Sequence, residues 1–147
     1  MANNPPAGFP RVTPYLFYEE PGAAVDWLVE AFGFKERFRM AGPDGKVNHA
    51  EVEVERDSVV MMGHPGPDYL GPKKHGHVHV LVYIYVDDVD GHFARAKGAG
   101  ATVLQEPADQ GYGDRTYLVA DPEGHQWNFA QHVRDVRPEE MIQQSAG

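Results

Sequence analysis

Two runs of this chain place imidazoles and carboxylates at alternate positions, the spacing that puts side chains on one side of an extended backbone. In Val47-Asn48-His49-Ala50-Glu51-Val52-Glu53, the residues His49, Glu51 and Glu53 share one strand face. If that face lines a cleft, the three are candidates for acid and base catalysis or for holding a cation, whereas on a solvated edge they do neither. In His75-Gly76-His77-Val78-His79 three imidazoles alternate, a set that either chelates Zn or Ni adventitiously or merely solvates the start of a strand. The stretch Gln110-Gly111-Tyr112-Gly113-Asp114-Arg115 sets an aromatic ring between two glycines, which suits a movable rim. Its Arg115 reaches an anionic group on a ligand or pairs with Asp114 or Asp121.

These residues must be positioned by elements, and the elements repeat. A strand over 12–18 runs into Glu19-Glu20, a helix over 21–32 and the stop Gly33. The same order returns as a strand over 80–86, the pair Asp87-Asp88, a helix over 89–97 and glycines at 98 and 100. Val25, Leu28, Val29 and Phe32 form an apolar stripe on the first helix, as do Val89, Phe93 and Ala96 on the second. Further strands are expected over 35–40, 47–55 and 58–62, then over 101–104, 115–120 and 125–130, with 105–114 a loop and Asp121-Pro122-Glu123-Gly124 a turn. The order βαβββ thus occurs twice, which predicts an α+β fold whose halves pair around a shared cavity. The boundaries read as a flexible tail over 1–10, a single domain over 11–133 and a polar C-terminal tail over 134–147. Within the domain, module one spans 11–63, a linker rich in proline and glycine spans 64–76, and module two spans 77–133.

The net charge of -9 in 147 residues argues against nucleic acid and against anionic membrane surfaces. It favours cationic ligands modestly and in a salt-dependent way. With no cysteine there is neither a disulfide framework nor thiolate chemistry, which suits a cytoplasmic setting. The N-terminal residues lack a basic and apolar leader pattern, and the apolar runs are too short to span a bilayer.

Several segments in this order and spacing carry a resemblance. They are Glu30-Ala31-Phe32-Gly33-Phe34, Val86-Asp87-Asp88-Val89-Asp90, the run from Gly100 to Pro107, and Gly113-Asp114-Arg115 followed by Asp121-Pro122-Glu123-Gly124-His125-Gln126-Trp127. Over residues 12–132 the chain resembles the vicinal oxygen chelate superfamily of glyoxalase I, extradiol dioxygenases and bleomycin resistance proteins, and its metal-poor, glyoxalase or bleomycin resistance-like branch in particular. The resemblance implies two tandem βαβββ modules that roll into a U-shaped, partly open β-barrel cleft with helices outside. It also implies a homodimer, with the cleft built either within one chain or by exchanging modules between two.

In that family four side chains hold a divalent ion, and the resemblance places those positions at Thr13, Met61, Leu81 and Asn128. Thr, Met, Leu and Asn supply neither the imidazole nor the carboxylate that holds Zn, Ni, Mn or Fe against water, so no cofactor is expected. If Thr13 and Leu81 face the cleft, alternation brings Tyr15, Phe17, Tyr83 and Tyr85 to the same side, with Gln126 beside Asn128. Such a wall suits a flat, partly polar organic compound, or else fills the cleft as core. Trp127 and Phe129 point the other way, as core.

The expectation is a small-molecule binding protein of the bleomycin resistance-like type, taking an aromatic or amphipathic compound, as in sequestration of an antibiotic or toxin. Its ligand-binding set is Thr13, Tyr15, Phe17, Met61, Leu81, Tyr83, Tyr85, Tyr112, Arg115, Gln126 and Asn128. The alternative is a metal-dependent lyase, isomerase or dioxygenase with displaced ligands drawn from His49, Glu51, Glu53, His77 and His79. Metal-free acid-base catalysis by Glu51 or Glu53 is a third reading.

Overall fold

Side-chain alternation and two amphipathic helices resolve into a doubled unit. A computed structural model describes residues 2–145. The first unit comprises β1 (Tyr15–Phe17), α1 (Pro21–Phe32), β2 (Lys35–Ala41), β3 (Val47–Val54) and β4 (Ser58–Gly63). Its sheet has the order β1-β4-β3-β2, with β1 parallel to β4 and the other pairs antiparallel. A short helix, α2 (Pro72–His75), lies in the connection. The second unit comprises β5 (Leu81–Tyr85), α3 (Val89–Gly98), β6 (Thr102–Asp109), β7 (Asp114–Ala120) and β8 (Gln126–His132), with sheet order β5-β8-β7-β6. The helix α4 (Pro138–Ser145) follows. The fold class is α+β with tandem βαβββ modules, and the two four-stranded sheets do not close on one another.

Local chemistry fixes the helix limits. Pro21 opens α1, where its preset φ suits the first turn and its missing N–H is not needed. Gly33 ends it in the left-handed region at φ 73°, donating its N–H to the Val29 carbonyl. For α3, the Asp88 side chain accepts the Gly91 N–H as an N-cap.

One difference from the sequence reading concerns the expected loop over 105–114. Its first half is strand, because β6 continues to Asp109 by pairing Gln105 with Leu118, Ala108 with Thr116 and Asp109 with Arg115. Pro107 is tolerated there because β6 is an edge strand and its register shifts between Gln105 and Ala108, so no ladder donor is lost.

The helix-bearing sides of both sheets meet in one core. Phe32 of α1 packs its ring 5.4 Å from that of Trp127 and 4.7 Å from that of Phe129, both on β8. Trp27 Nε1 donates to the Ala99 carbonyl at 3.0 Å, and Arg95 Nε donates to the Glu30 carbonyl at 2.8 Å, locking α1 against α3. The turn 121–124, expected only as a chain reversal, also clamps the two modules together. Asp121 is buried and accepts from Tyr18 Oη at 2.6 Å and Trp127 Nε1 at 3.1 Å. The two oxygens of Glu123 accept the backbone N–H groups of Glu19 and Glu20, where α1 begins. Because the modules join through their helix sides, the opposite face of each sheet is left uncovered.

Candidate functional site

Strand alternation decides what each uncovered face presents. On β3, Ala50, Val52 and Val54 are buried against the core, so His49, Glu51 and Glu53 point outward. Register brings Met61 beside both Tyr15 and Glu51, and sets Phe38 beside Glu51. On the first module's face Tyr15 Oη donates to His49 Nδ1 at 3.0 Å, and His49 Nε2 donates to Glu51 Oε2 at 2.9 Å. Phe17 lies edge-on to Tyr15 with ring centroids 5.9 Å apart. Tyr15, Phe17, Phe38 and Met40 are all exposed.

The second module's face is built the same way and carries more polar chemistry. Ile84 of β5 is buried while Leu81, Tyr83 and Tyr85 stand exposed. Trp127 and Phe129 of β8 are fully buried in the core, so Gln126, Asn128, Ala130 and His132 face the other way. Asn128 lies between Tyr83 on β5 and Leu118 on β7. It is 9% exposed, and its Nδ2 has no hydrogen-bond partner among the described residues.

At one end of this face sits Asp114, only 3% exposed. Its Oδ2 accepts from Tyr83 Oη at 2.7 Å and Tyr85 Oη at 2.9 Å, and its Oδ1 accepts from His132 Nδ1 at 2.8 Å. Burial alone would raise this carboxyl, but the bonds from Tyr83, His132 and Tyr85 outweigh it and hold the group below the usual carboxylate range. Tyr83 is raised by burial and by its bond to Asp114, and Tyr85 is raised first by that bond. His132 is raised by Asp135, which its Nε2 bonds at 2.7 Å, and by Asp114. Tyr112 reaches Tyr83, with the two hydroxyls 3.2 Å apart. Its loop is pinned at Gly113, where φ is 103° and a Cβ would collide with the Arg134 carbonyl. A cleft of about 690 Å³ runs along the seam between modules, between Arg56 and Ser58 on one side and Tyr83 and Tyr85 on the other.

Arg115 does not join this set. Its alternation places it on the helix side of β7, where it pairs with Asp90 of α3 and with Asp109, and neither Asp114 nor Asp121 is its partner. The four family metal positions, Thr13, Met61, Leu81 and Asn128, offer no imidazole or carboxylate and do not fit a divalent ion. The displaced-ligand set is split as well. His49 and Glu51 lie on the first sheet, whereas His77 and His79 lie in the connection with their ring centroids 6.3 Å apart. Among the described residues no three or more His, Asp or Glu side chains converge as a metal-holding group. Asp114 and His132 entered no candidate set, although counting back by twos from Thr116 and forward by twos from Asn128 places both on this face.

Doubled βαβββ modules with uncovered, aromatic-bearing sheet faces define a class, and comparison with known proteins gives the family. The profile of the glyoxalase/bleomycin resistance protein/dioxygenase superfamily matches residues 8–129. The chain belongs to that superfamily. It is 39% identical over 137 residues to an uncharacterised protein of Mycobacterium bovis, with 90% of each chain covered. It is 38% identical to TioX from Micromonospora sp. ML1, whose crystal structure superposes with a TM-score of 0.69 over 84% of this chain and 99% of that one. The fold is also that of TnmS3, an antibiotic binding protein from Streptomyces sp. CB03234, at 21% identity and a TM-score of 0.63 over 82% of this chain and 93% of that one. Among the described residues no helix is long and apolar enough to cross a membrane.

Proposed function

We propose that this chain is a binding protein for a planar aromatic or amphipathic organic compound, acting by sequestration in the cytoplasm, and that its cleft is completed in a homodimer. The observation that carries the reading is the pair of uncovered sheet faces. Each exposes several large apolar side chains, Tyr15, Phe17, Phe38 and Met40 on one and Leu81, Tyr83 and Tyr85 on the other. Exposed clusters of this kind mark binding surfaces. Since the modules join through their helix sides, the first-module face of one copy meets the second-module face of another, and the compound lies between them. That the same scaffold serves an antibiotic binding protein in TnmS3 is in keeping with this use.

The test pairs sedimentation velocity with a fluorescence screen of planar compounds that quench tyrosine. The expected result is a dimer at micromolar concentration, saturable binding at one site per cleft, and a monomer with no binding for Phe17→Asp. A wild-type monomer that binds nothing in the screen overturns the proposal.

A second reading is favoured by the chain from Tyr15 through His49 to Glu51, in which the carboxylate orients the imidazole and the imidazole accepts from the phenol. In that reading Tyr15 exchanges a proton with a bound substrate. Solvent-deuterium incorporation into a bound carbonyl compound, lost in Glu51→Gln, is its signature; binding without exchange excludes it.

A further inference from the structure

The outer edge of a sheet is a row of backbone donors and acceptors open to another chain, and proteins blunt such edges. The edge strands here are β1 and β2 of the first sheet and β5 and β6 of the second. β2 carries Lys35, Glu36, Arg37 and Arg39 together with two register shifts, and β6 carries Pro107 and two register shifts. β1 is short, and its outward carbonyl at Phe17 accepts from Tyr69 Oη at 2.8 Å and from His125 Nε2 at 2.6 Å. β5 has none of these devices. Its run Leu81-Val82-Tyr83-Ile84-Tyr85 holds no charge, proline or register shift, and its outer edge pairs with no strand among the described residues.

Parity fixes which groups are open on that edge. Val86 donates its N–H to the Ala130 carbonyl of β8, so Val82 and Ile84 also turn their backbone groups to β8, and Tyr83 and Tyr85 turn theirs outward. All five residues from Val82 to Val86 line the seam cleft of about 690 Å³. Neighbours of both parities line one cavity where it runs along a strand's edge, not over its face. Across the cleft lie Val54 and Val60 of the first module. Glu55, Asp57 and Asp87 line it too, against Arg56 as the one cation in the lining.

We propose that the seam cleft takes an extended basic peptide of about five residues, the length of β5 it exposes, added as a further strand on β5. The N–H groups of Tyr83 and Tyr85 donate to peptide carbonyls, and their carbonyls accept from peptide N–H groups. One row of peptide side chains meets Val54 and Val60, which suits aliphatic residues, and a lysine or arginine answers the excess of carboxylates. This use of the edge does not rest on what the uncovered faces bind.

The probe is acetyl-Lys-Val-Thr-Val-Thr-amide, titrated into the isotope-labelled full chain while amide hydrogen exchange is followed by NMR. In the free protein Tyr83 and Tyr85 are expected to exchange about tenfold or more faster than Ile84 and Val86, which β8 holds. Saturating peptide is expected to slow Tyr83 and Tyr85 about tenfold or more and to leave Ile84 and Val86 unchanged. The counterpart with glutamate in place of lysine is expected to bind about tenfold more weakly at low salt, with the gap closing as salt is added. Tyr85→Pro removes an outward donor without touching the β8 ladder, and is expected to weaken the lysine peptide about tenfold. Tyr85→Val loses the same ring and hydroxyl but keeps the N–H, and is expected to retain the peptide. Equal weakening in both variants assigns the binding to the tyrosine side chain and overturns the inference. Slow exchange of Tyr83 and Tyr85 in the free chain means that the edge is already satisfied, and overturns it as well. So does a peptide that binds without protecting them, or that fails to bind at millimolar concentration. Protection that grows with protein concentration in the absence of peptide assigns the edge to a second copy of the chain, and the peptide is then excluded.

Discussion

At Asp114 one buried carboxylate answers three donors, from Tyr83, Tyr85 and His132, and so ties β5, β7 and β8 together at one end of the candidate face. Replacing it with Asn leaves one acceptor oxygen and turns an amide donor towards groups that also donate. Asp114→Asn is therefore expected to cost about 2 kcal/mol in urea unfolding, within the range for a buried charged network that loses partners. The pH sense follows from the depressed folded pKa: this stabilisation is present above the ordinary carboxylate range and is lost as pH falls through the folded value. His132 runs the opposite way. Its raised pKa means that its contribution is complete below the ordinary histidine value and fades as pH rises through the folded one. A proton NMR titration of His132 is expected to give a midpoint above 6.5, and to fall back in Asp114→Asn.

Helix α3 owes its placement between the modules partly to a neutral histidine. His92 Nε2 donates to the Phe32 carbonyl at the end of α1, at 2.9 Å, and its Nδ1 accepts from the Tyr117 hydroxyl of β7. Burial pushes this imidazole down to about 4, Arg95 adding to the effect and the Phe32 bond opposing it. Between the unfolded value of 6.5 and about 4 the unfolded chain binds the extra proton, so stability rises with pH across that window and levels off above it. The expected loss on acidification is on the order of 2 to 3 kcal/mol. Guanidinium unfolding at pH 4 to 8 measures it, and His92→Gln is expected to flatten the slope within that interval. A slope in the variant equal to that of wild type excludes His92 as its source.

Across the whole molecule, the contact between modules is made by polar groups as well as rings. Asp121 takes the hydroxyl of Tyr18 from the first module and the indole of Trp127 from the second, both buried. Asp121→Ala would strand two buried donors, and the expected destabilisation is about 3 kcal/mol or more, with loss of the single unfolding transition. Differential scanning calorimetry reads both effects. A small change with one sharp transition retained means that the modules are held without Asp121, by the Phe32, Trp127 and Phe129 rings and the bonds between α1 and α3.

The sequence by itself determined the doubled βαβββ order, the helix over 21–32 with its proline start and glycine stop, and the division of each strand into two faces. Those features depend on local geometry: alternation in strands, 3.6-residue periodicity in helices, and backbone restrictions at Pro and Gly. It also carried the placement of Tyr15, Phe17, Tyr83, Tyr85, Gln126 and Asn128 away from Trp127 and Phe129, because parity along a strand needs no partner to be read. What only the tertiary structure decided was partnership. Arg115 is held by Asp90 across α3, the extent of β6 follows from pairing with β7, and Asp114 acquires its donors from strands 18 to 31 residues away in the chain. Charge and hydrogen-bonding capacity are properties of a residue, but which group satisfies them depends on register and packing between distant segments. For that reason the sequence could supply an aromatic face, while the fold alone showed that its carboxylate is spoken for and that its asparagine amide meets no partner among the described residues.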